Sequence, residues 1–309
     1  MRFALSAPGP LDAAATLARY HVWGPDPANQ LGDGVFRRVL RMDGALWPWA
    51  ARWSGTVDDA RLDVDVPGRC PPRVAETVRA EVDKIFGLAF DLPGFYRFAK
   101  ADPVLADLVG PLHGLRPTLA PSGLEMIVGS ITAQQVNLSF AFACRARLVE
   151  RYGTPVETDG VTVYAFPAAA TLAAARVDDL RAMKFSTRKA EYIRDVARAV
   201  AEQALDVDAL VAAPNAGVVE TITGVRGLGR WTAEWFLARC LGRGDVCPAG
   251  DLGVRRAVEH YYGRGRALTE DAVRRRATAW GPYRNLAVHY LLAGARLGLP
   301  AGRRSWNAR

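Results

Sequence analysis

The stretch TITGVRGLGRWTAEWFLARCLGRGDVCPAGDLGVRRA, residues 221–257, decides the fold. Gly224, Gly227 and Gly229 stand just ahead of a helix-forming run that opens at Trp231. Glycine lets a backbone turn tightly and approach another backbone closely. Two helices joined by such a turn make a hairpin, and the second helix starts with unpaired N–H groups at the positive end of its dipole. The N–H groups of Gly227, Leu228 and Gly229 are then expected to face a phosphate. An ordinary tight helix–helix connection carries the same glycines, so the residues that follow decide between the two. After the helix, a loop ending Cys247-Pro-Ala-Gly250 delivers a lone carboxylate, Asp251, to the start of another helix.

Hairpin, Trp-Thr-Ala continuation and late aspartate together resemble the helix-hairpin-helix base-excision DNA glycosylases, with their Gly/Pro-rich loop and catalytic acid. The wording Arg230-Trp-Thr-Ala-Glu234 is similar to the 3-methyladenine DNA glycosylase II branch. Residues 121–153 and 221–297 carry the resemblance best. It implies an enzyme that flips alkylated purines, 3-methyladenine and 7-methylguanine, out of duplex DNA and cuts the N-glycosidic bond with water. Asp251 is the implied catalytic group. An anion beside the sugar stabilises the positive charge that develops as the base leaves, and it can orient or deprotonate the attacking water. Helix capping is the plain alternative for an Asp at this position, and both roles are compatible. Asp245, at the far end of the same loop, competes for the part.

The branch that also cleaves the DNA strand carries a lysine at the second position after the last hairpin glycine; here that position is Trp231. The resemblance therefore implies no lyase activity. Trp231 and Trp235 lie one helical turn apart. They are expected to line the base pocket with Trp280 and Tyr283, which flank Gly281-Pro282, and with Tyr20 near the N-terminus. Aromatic rings stack on an extruded base and attract a cationic one by about 0.5–2 kcal/mol. Core packing is the competing role, most of all for Trp280. Arg230 and Thr232 join the hairpin residues as expected DNA contacts. Gln134-Gln135 interrupts a helix where the family places the side chain that fills the hole left by the flipped base, Gln135 ahead of Gln134. The backbone carbonyls of Thr223, Val225 and Leu228 are the implied holders of a monovalent cation, Na or K. No redox cofactor is expected, and no iron–sulfur cluster, since Cys70, Cys144, Cys240 and Cys247 show no cluster spacing.

Outside this region the pattern divides near residue 92. Val35–Met42 and Ala45–Trp53 flank Asp43-Gly44, a two-residue hairpin signal. Pro48 is expected to place the second strand at an edge or bulge. Arg61–Val66 alternates as a strand, and Pro71–Phe86 carries the apolar stripe of a helix. Residues 1–92 thus read as a small α+β domain with an antiparallel sheet, and 93–300 as an all-α glycosylase domain with a polar tail after it. Ser122-Gly-Leu-Glu125 reads as a capping box in which serine and glutamate satisfy each other's first-turn N–H groups.

Net charge is +8, which suits a polyanion partner, although basic composition alone selects no function. The expected partner is double-stranded DNA containing damaged bases. No apolar run reaches membrane-spanning length, and Pro8, Pro10 and Asp12 break any signal-peptide core. A monomeric, cytoplasmic, nucleoid-associated protein is expected. A glycosylase for uracil, hypoxanthine or a mismatch, and a DNA-binding module without turnover, are the alternative readings.

Overall fold

The computed structural model describes residues 1–301, so the expected polar tail lies, from residue 302 on, outside the described residues. The chain opens with β1 (Arg2–Ser6), α1 (Ala13–Leu17) and α2 (Arg19–Val22). Next come β2 (Asn29–Gly32), β3 (Val35–Met42), β4 (Ala45–Thr56), β5 (Asp59–Asp65) and α3 (Pro72–Ile85). The strands form one antiparallel sheet in the order β1-β5-β4-β3-β2. Asp43 and Gly44 both have positive φ, as a two-residue turn with native twist demands. Pro48 sits in an inner strand, not an edge strand. β5 pairs with β4 only from Ala50 onward, so Pro48 faces β3 alone and its missing N–H breaks no ladder. Leu62, Val64 and Val66 turn inward onto Val74, Val78, Val82 and Ile85 of α3.

The remainder is mainly helical. α4 (Leu92–Ala99), α5 (Pro103–Val109), α6 (Gly123–Ala133) and α7 (Leu138–Tyr152) come first. A hairpin of β6 (Thr154–Thr158) and β7 (Val161–Ala165) then departs from the all-α expectation. Its turn is Asp159-Gly160, both with positive φ, the same signal as at residues 43–44. Val163 and Ala165 of β7 pack on Val39 of β3, and the Tyr164 N–H donates to the Pro27 carbonyl at 2.9 Å. α8 (Ala169–Ala173), α9 (Val177–Ala182), α10 (Thr187–Ala201), α11 (Asn215–Thr223) and α12 (Arg230–Arg239) follow. α13 (Leu252–Tyr262), α14 (Glu270–Thr278) and α15 (Arg284–Arg296) are the last helices among the described residues. One apolar core gathers around α6, α10 and α12, a second around α5, α13 and α15.

The sheet is joined to the helices by buried charge. Ser122 caps α6 as expected, its Oγ accepting from the Glu125 N–H at 3.2 Å. The Glu125 carboxylate does not reach back to close the box. It accepts instead from Arg38 Nη2 at 2.9 Å and Arg145 Nη2 at 2.6 Å, two fixed charges that outcompete one neutral N–H. Arg38 also pairs with Glu81, and Arg145 with Asp26. Burial alone would raise the Glu125 carboxyl; Arg38 and Arg145 outweigh it and hold it at about 2.

Candidate functional site

α11, the turn at residues 224–229 and α12 form the hairpin. Gly227 has φ +89° and a Cβ there would strike the Tyr192 ring, so only glycine fits. Gly229 is extended, with nothing within 4 Å of where a Cβ would stand. Gly224 is ordinary right-handed helix end and has room for a side chain. The Leu228 N–H is spent on the Val225 carbonyl at 3.0 Å and its side chain is buried, so Leu228 offers no N–H to a phosphate. The turn uses that bond to close. Gly229 is the N-cap of α12 and has no side chain to cap with, which leaves the first N–H groups of the helix for an external acceptor.

Thr232 also departs from expectation. It is 1% exposed, turned into the core, and cannot touch DNA. Arg230 is exposed at the helix start, with its Nε on Glu234 at 2.9 Å. Gln134 and Gln135 part company. Gln134 Nε2 donates to the Gly227 carbonyl at 3.0 Å and ties the hairpin to the α6–α7 turn, a structural and not a wedge role. Gln135 is exposed with φ +54°, at a tip shared with exposed Val136 and Leu138.

Asp251 caps α13 through Oδ1, which accepts from the Val254 N–H at 2.9 Å. Its Oδ2 accepts from both indole N–H groups, Trp231 at 2.7 Å and Trp235 at 3.2 Å. Twenty residues of sequence thus close into one hydrogen-bonded cluster. Asp245 stands apart, exposed, accepting from Asn215 Nδ2 at 3.1 Å. Gly253 leaves the acid room, since a Cβ there would stand 3.1 Å from Asp251 Oδ1, a tight contact.

The cluster forms one wall of a cavity of about 500 Å³, also lined by residues of α1, α2, α6, α7 and α15. Tyr20 lines it as expected; its ring lies 5.1 Å from that of Phe36, and burial pushes its hydroxyl up to about 12. Trp280 and Tyr283 do not line it. Trp280 is fully buried against Tyr262 and Arg276, and the Tyr283 hydroxyl donates to Asp91 at 3.3 Å while its ring packs on Phe95 and Phe98. Both rings serve the core, the competing role named above. Arg19, Asn29, Arg239 and His289 line the cavity without any motif that would announce them. Arg239 was detectable only as a charge inside the apolar run Phe236-Leu-Ala-Arg-Cys-Leu241.

Among the described residues no three His, Cys, Asp or Glu side chains are placed to hold a metal ion. The carbonyls of Thr223, Val225 and Leu228 are spread along the turn, Thr223 at the end of α11 and Leu228 next to the start of α12, and neutral oxygens are the donors a weakly charged hard cation takes. The Val225 oxygen already accepts from Leu228, and its second lone pair remains.

Comparison with known proteins identifies the family. The pattern of the HhH-GPD superfamily of base excision DNA repair proteins matches residues 128–282. The chain is 30% identical over 216 residues to the DNA-3-methyladenine glycosylase of Bacillus subtilis, spanning 70% of this chain and 71% of that protein. It is 30% identical over 271 residues to a probable bifunctional transcriptional activator/DNA repair enzyme AlkA of Mycobacterium tuberculosis, covering 85% of this chain and about half, 51%, of that protein's length. In structure it is similar to the 3-methyladenine DNA glycosylase of Archaeoglobus fulgidus, with a TM-score of 0.85, 29% identity, and coverage of 96% of this chain and 98% of that one. On hairpin, aspartate and overall likeness together, the chain belongs to the HhH-GPD superfamily of base excision DNA repair proteins.

Proposed function

We propose that the protein is a DNA glycosylase of base excision repair that extrudes alkylated purines from duplex DNA into the 500 Å³ cavity and hydrolyses their N-glycosidic bond. One observation carries this reading: the Asp251 carboxylate at the cavity wall, held by two indoles and a helix N-terminus. Those donors fix the carboxylate's orientation, so no reorganisation is needed when charge develops on the sugar. The aromatic faces of Trp231 and Trp235 supply stacking for the base. Electron-poor, alkylated bases leave as neutral molecules and need little further activation.

Water serves as nucleophile in this reading. The place of a nucleophilic lysine is taken by Trp231, and no lysine lines the cavity among the described residues. Gln135 is the residue that enters the vacated stack, and the open N-terminus of α12 binds a phosphate. The carbonyls of Thr223, Val225 and Leu228 would hold a Na or K ion that adds positive charge beside that phosphate.

A panel of single-lesion duplexes, with and without borohydride, tests the proposal. Excision of 3-methyladenine and 7-methylguanine is expected, with strand breaks only after alkali and no trapped protein–DNA adduct. An adduct at ordinary yield would replace water by a protein amine, and no excision on any lesion would end the reading. In the same panel Gln135→Ala is expected to lose more activity on duplex than on single strands. Gly229→Val has open space, so the fold should survive. Its binding to damaged and undamaged duplex should fall equally, by about tenfold, since phosphate contacts carry no base information. A changed lesion preference at constant affinity would remove Gly229 from the phosphate site.

A further inference from the structure

The cavity holds a cationic side that the excision chemistry above does not use. Arg239, on the last turn of α12, is 8% exposed and lines the cavity. Its guanidinium meets neutral acceptors only: the Asn285 Oδ1, the Ala238 carbonyl and His289 Nδ1, the last at 3.3 Å. Arg19 of α2 and Arg296 of α15 line the same cavity. None of the three forms an ion pair among the described residues; of the other buried arginines, Arg38 and Arg145 each face two carboxylates and Arg116 is answered by backbone carbonyls.

A guanidinium buried without a counter-charge is costly unless something else satisfies it. Burial and the nearby Arg19 lower Arg239 to about 9, and burial with Arg239 and Arg296 pushes His289 well below its ordinary range, so the ring is neutral. That neutral ring gives its Nδ1 lone pair to Arg239 and fixes the guanidinium plane. The guanidinium carbon also lies over the Trp235 ring, 5.3 Å from its centroid, and the Trp235 N–H is on Asp251. Arg239 is therefore positioned next to the ring on which a base would stack, and arginine can only donate hydrogen bonds.

We propose that Arg239, seconded by Arg19, reads an exocyclic carbonyl oxygen on the base, so that this cavity prefers 6-oxopurines, such as 7-methylguanine and hypoxanthine, over 6-aminopurines such as 3-methyladenine. The inference rests on the glycosylase reading and narrows its substrate class. A 6-oxo group accepts where a 6-amino group donates, and two donors facing each other repel and leave both unpaired. The two carboxylates on the far wall, Asp26 and Glu125, are already engaged by Asn29, Arg145 and Arg38, which leaves no unpaired carboxylate there to accept from an amino group.

Duplex DNA treated with a methylating agent carries 7-methylguanine and 3-methyladenine together, and chromatography of the released bases gives their ratio in one tube. Arg239→Met is expected to lower the 7-methylguanine to 3-methyladenine ratio by about ten- to a hundredfold, the worth of a hydrogen bond to a charged group. Excision of hypoxanthine from a single-lesion duplex should fall with it. Arg19→Met, at an exposed residue, should move the ratio in the same direction by less, and it keeps the test alive if Arg239→Met does not fold. A parallel fall of both bases, with the ratio constant in both variants, would make the arginines structural and overturn the inference. If the wild type releases neither base, the glycosylase reading fails first; if it releases both and the ratios hold, only the inference fails.

Discussion

Asp251→Asn is expected to lower single-turnover excision by about 10²–10³-fold, the loss seen when one well-placed electrostatic group is removed from an active site. The geometry also says what else changes. Asp251 uses one oxygen for two indoles and the other for the Val254 N–H. An amide has a single oxygen, so it can serve the tryptophans or the cap, but not both. The donor left unserved is therefore expected to cost about 1–3 kcal/mol of stability alongside the rate loss, well short of unfolding. Lesion-containing DNA should still bind. Excision of a neutral base should suffer more than that of 7-methylguanine, whose own charge already weakens the bond. Asp245→Asn is the control, because Asp245 is exposed and hydrogen-bonded to Asn215 away from the cavity. A dead Asp245→Asn beside an active Asp251→Asn would reverse the assignment, and two active variants would end the mechanism.

The hairpin and the two tryptophans were legible in the sequence because their geometry is local: helix periodicity sets Trp231 against Trp235. Asp251 was legible through the family resemblance, since loop length alone does not say that the chain returns it to the helix it left. The aromatic pair at 280 and 283 misled because a Gly-Pro turn looks like a pocket rim whichever way its rings point. Here a short 3-10 turn at Gly281–Tyr283 rolls Trp280 onto Tyr262 and holds Tyr283 against α4. Thr232 failed for a related reason: one helix has two faces, and the first turn of α12 gives the core Thr232 and the cavity Trp231. The β6–β7 hairpin carried a plain Asp-Gly turn but lay inside a run of helices, where its neighbours outweighed it. Arg19, Arg239 and His289 were invisible for the deepest reason. Each is a single polar residue on a separate helix, and only the tertiary arrangement makes them a group.

Removing the carboxylate at the junction of sheet and helices is the other large effect. Glu125→Ala is expected to destabilise the protein by about 3–5 kcal/mol, because it leaves Arg38 and Arg145 buried with part of their charge unanswered. Both guanidiniums keep one acid, Glu81 and Asp26, so the loss comes from unbalanced charge and not from bare ions. Denaturant titration at neutral pH reads the change directly, and a shift below about 1 kcal/mol would show that water or relaxation replaces the carboxylate. The acid limb gives a second, independent reading. Glu125 is held at about 2 in the fold against an ordinary 4.5, so its folded carboxyl is the depressed one. Its contribution is complete above pH 4.5 and is lost as pH falls towards 2. Wild-type stability should therefore drop through that window by more than that of Glu125→Ala, and the two curves should converge in acid. The same cluster faces the cavity, since Asp26, Asn29, Glu125 and Arg145 line it near Tyr20 as well as joining sheet to helices. Loss of excision in Glu125→Ala at temperatures where the fold is intact would mean that the sheet does more than stabilise the helices: it closes the pocket.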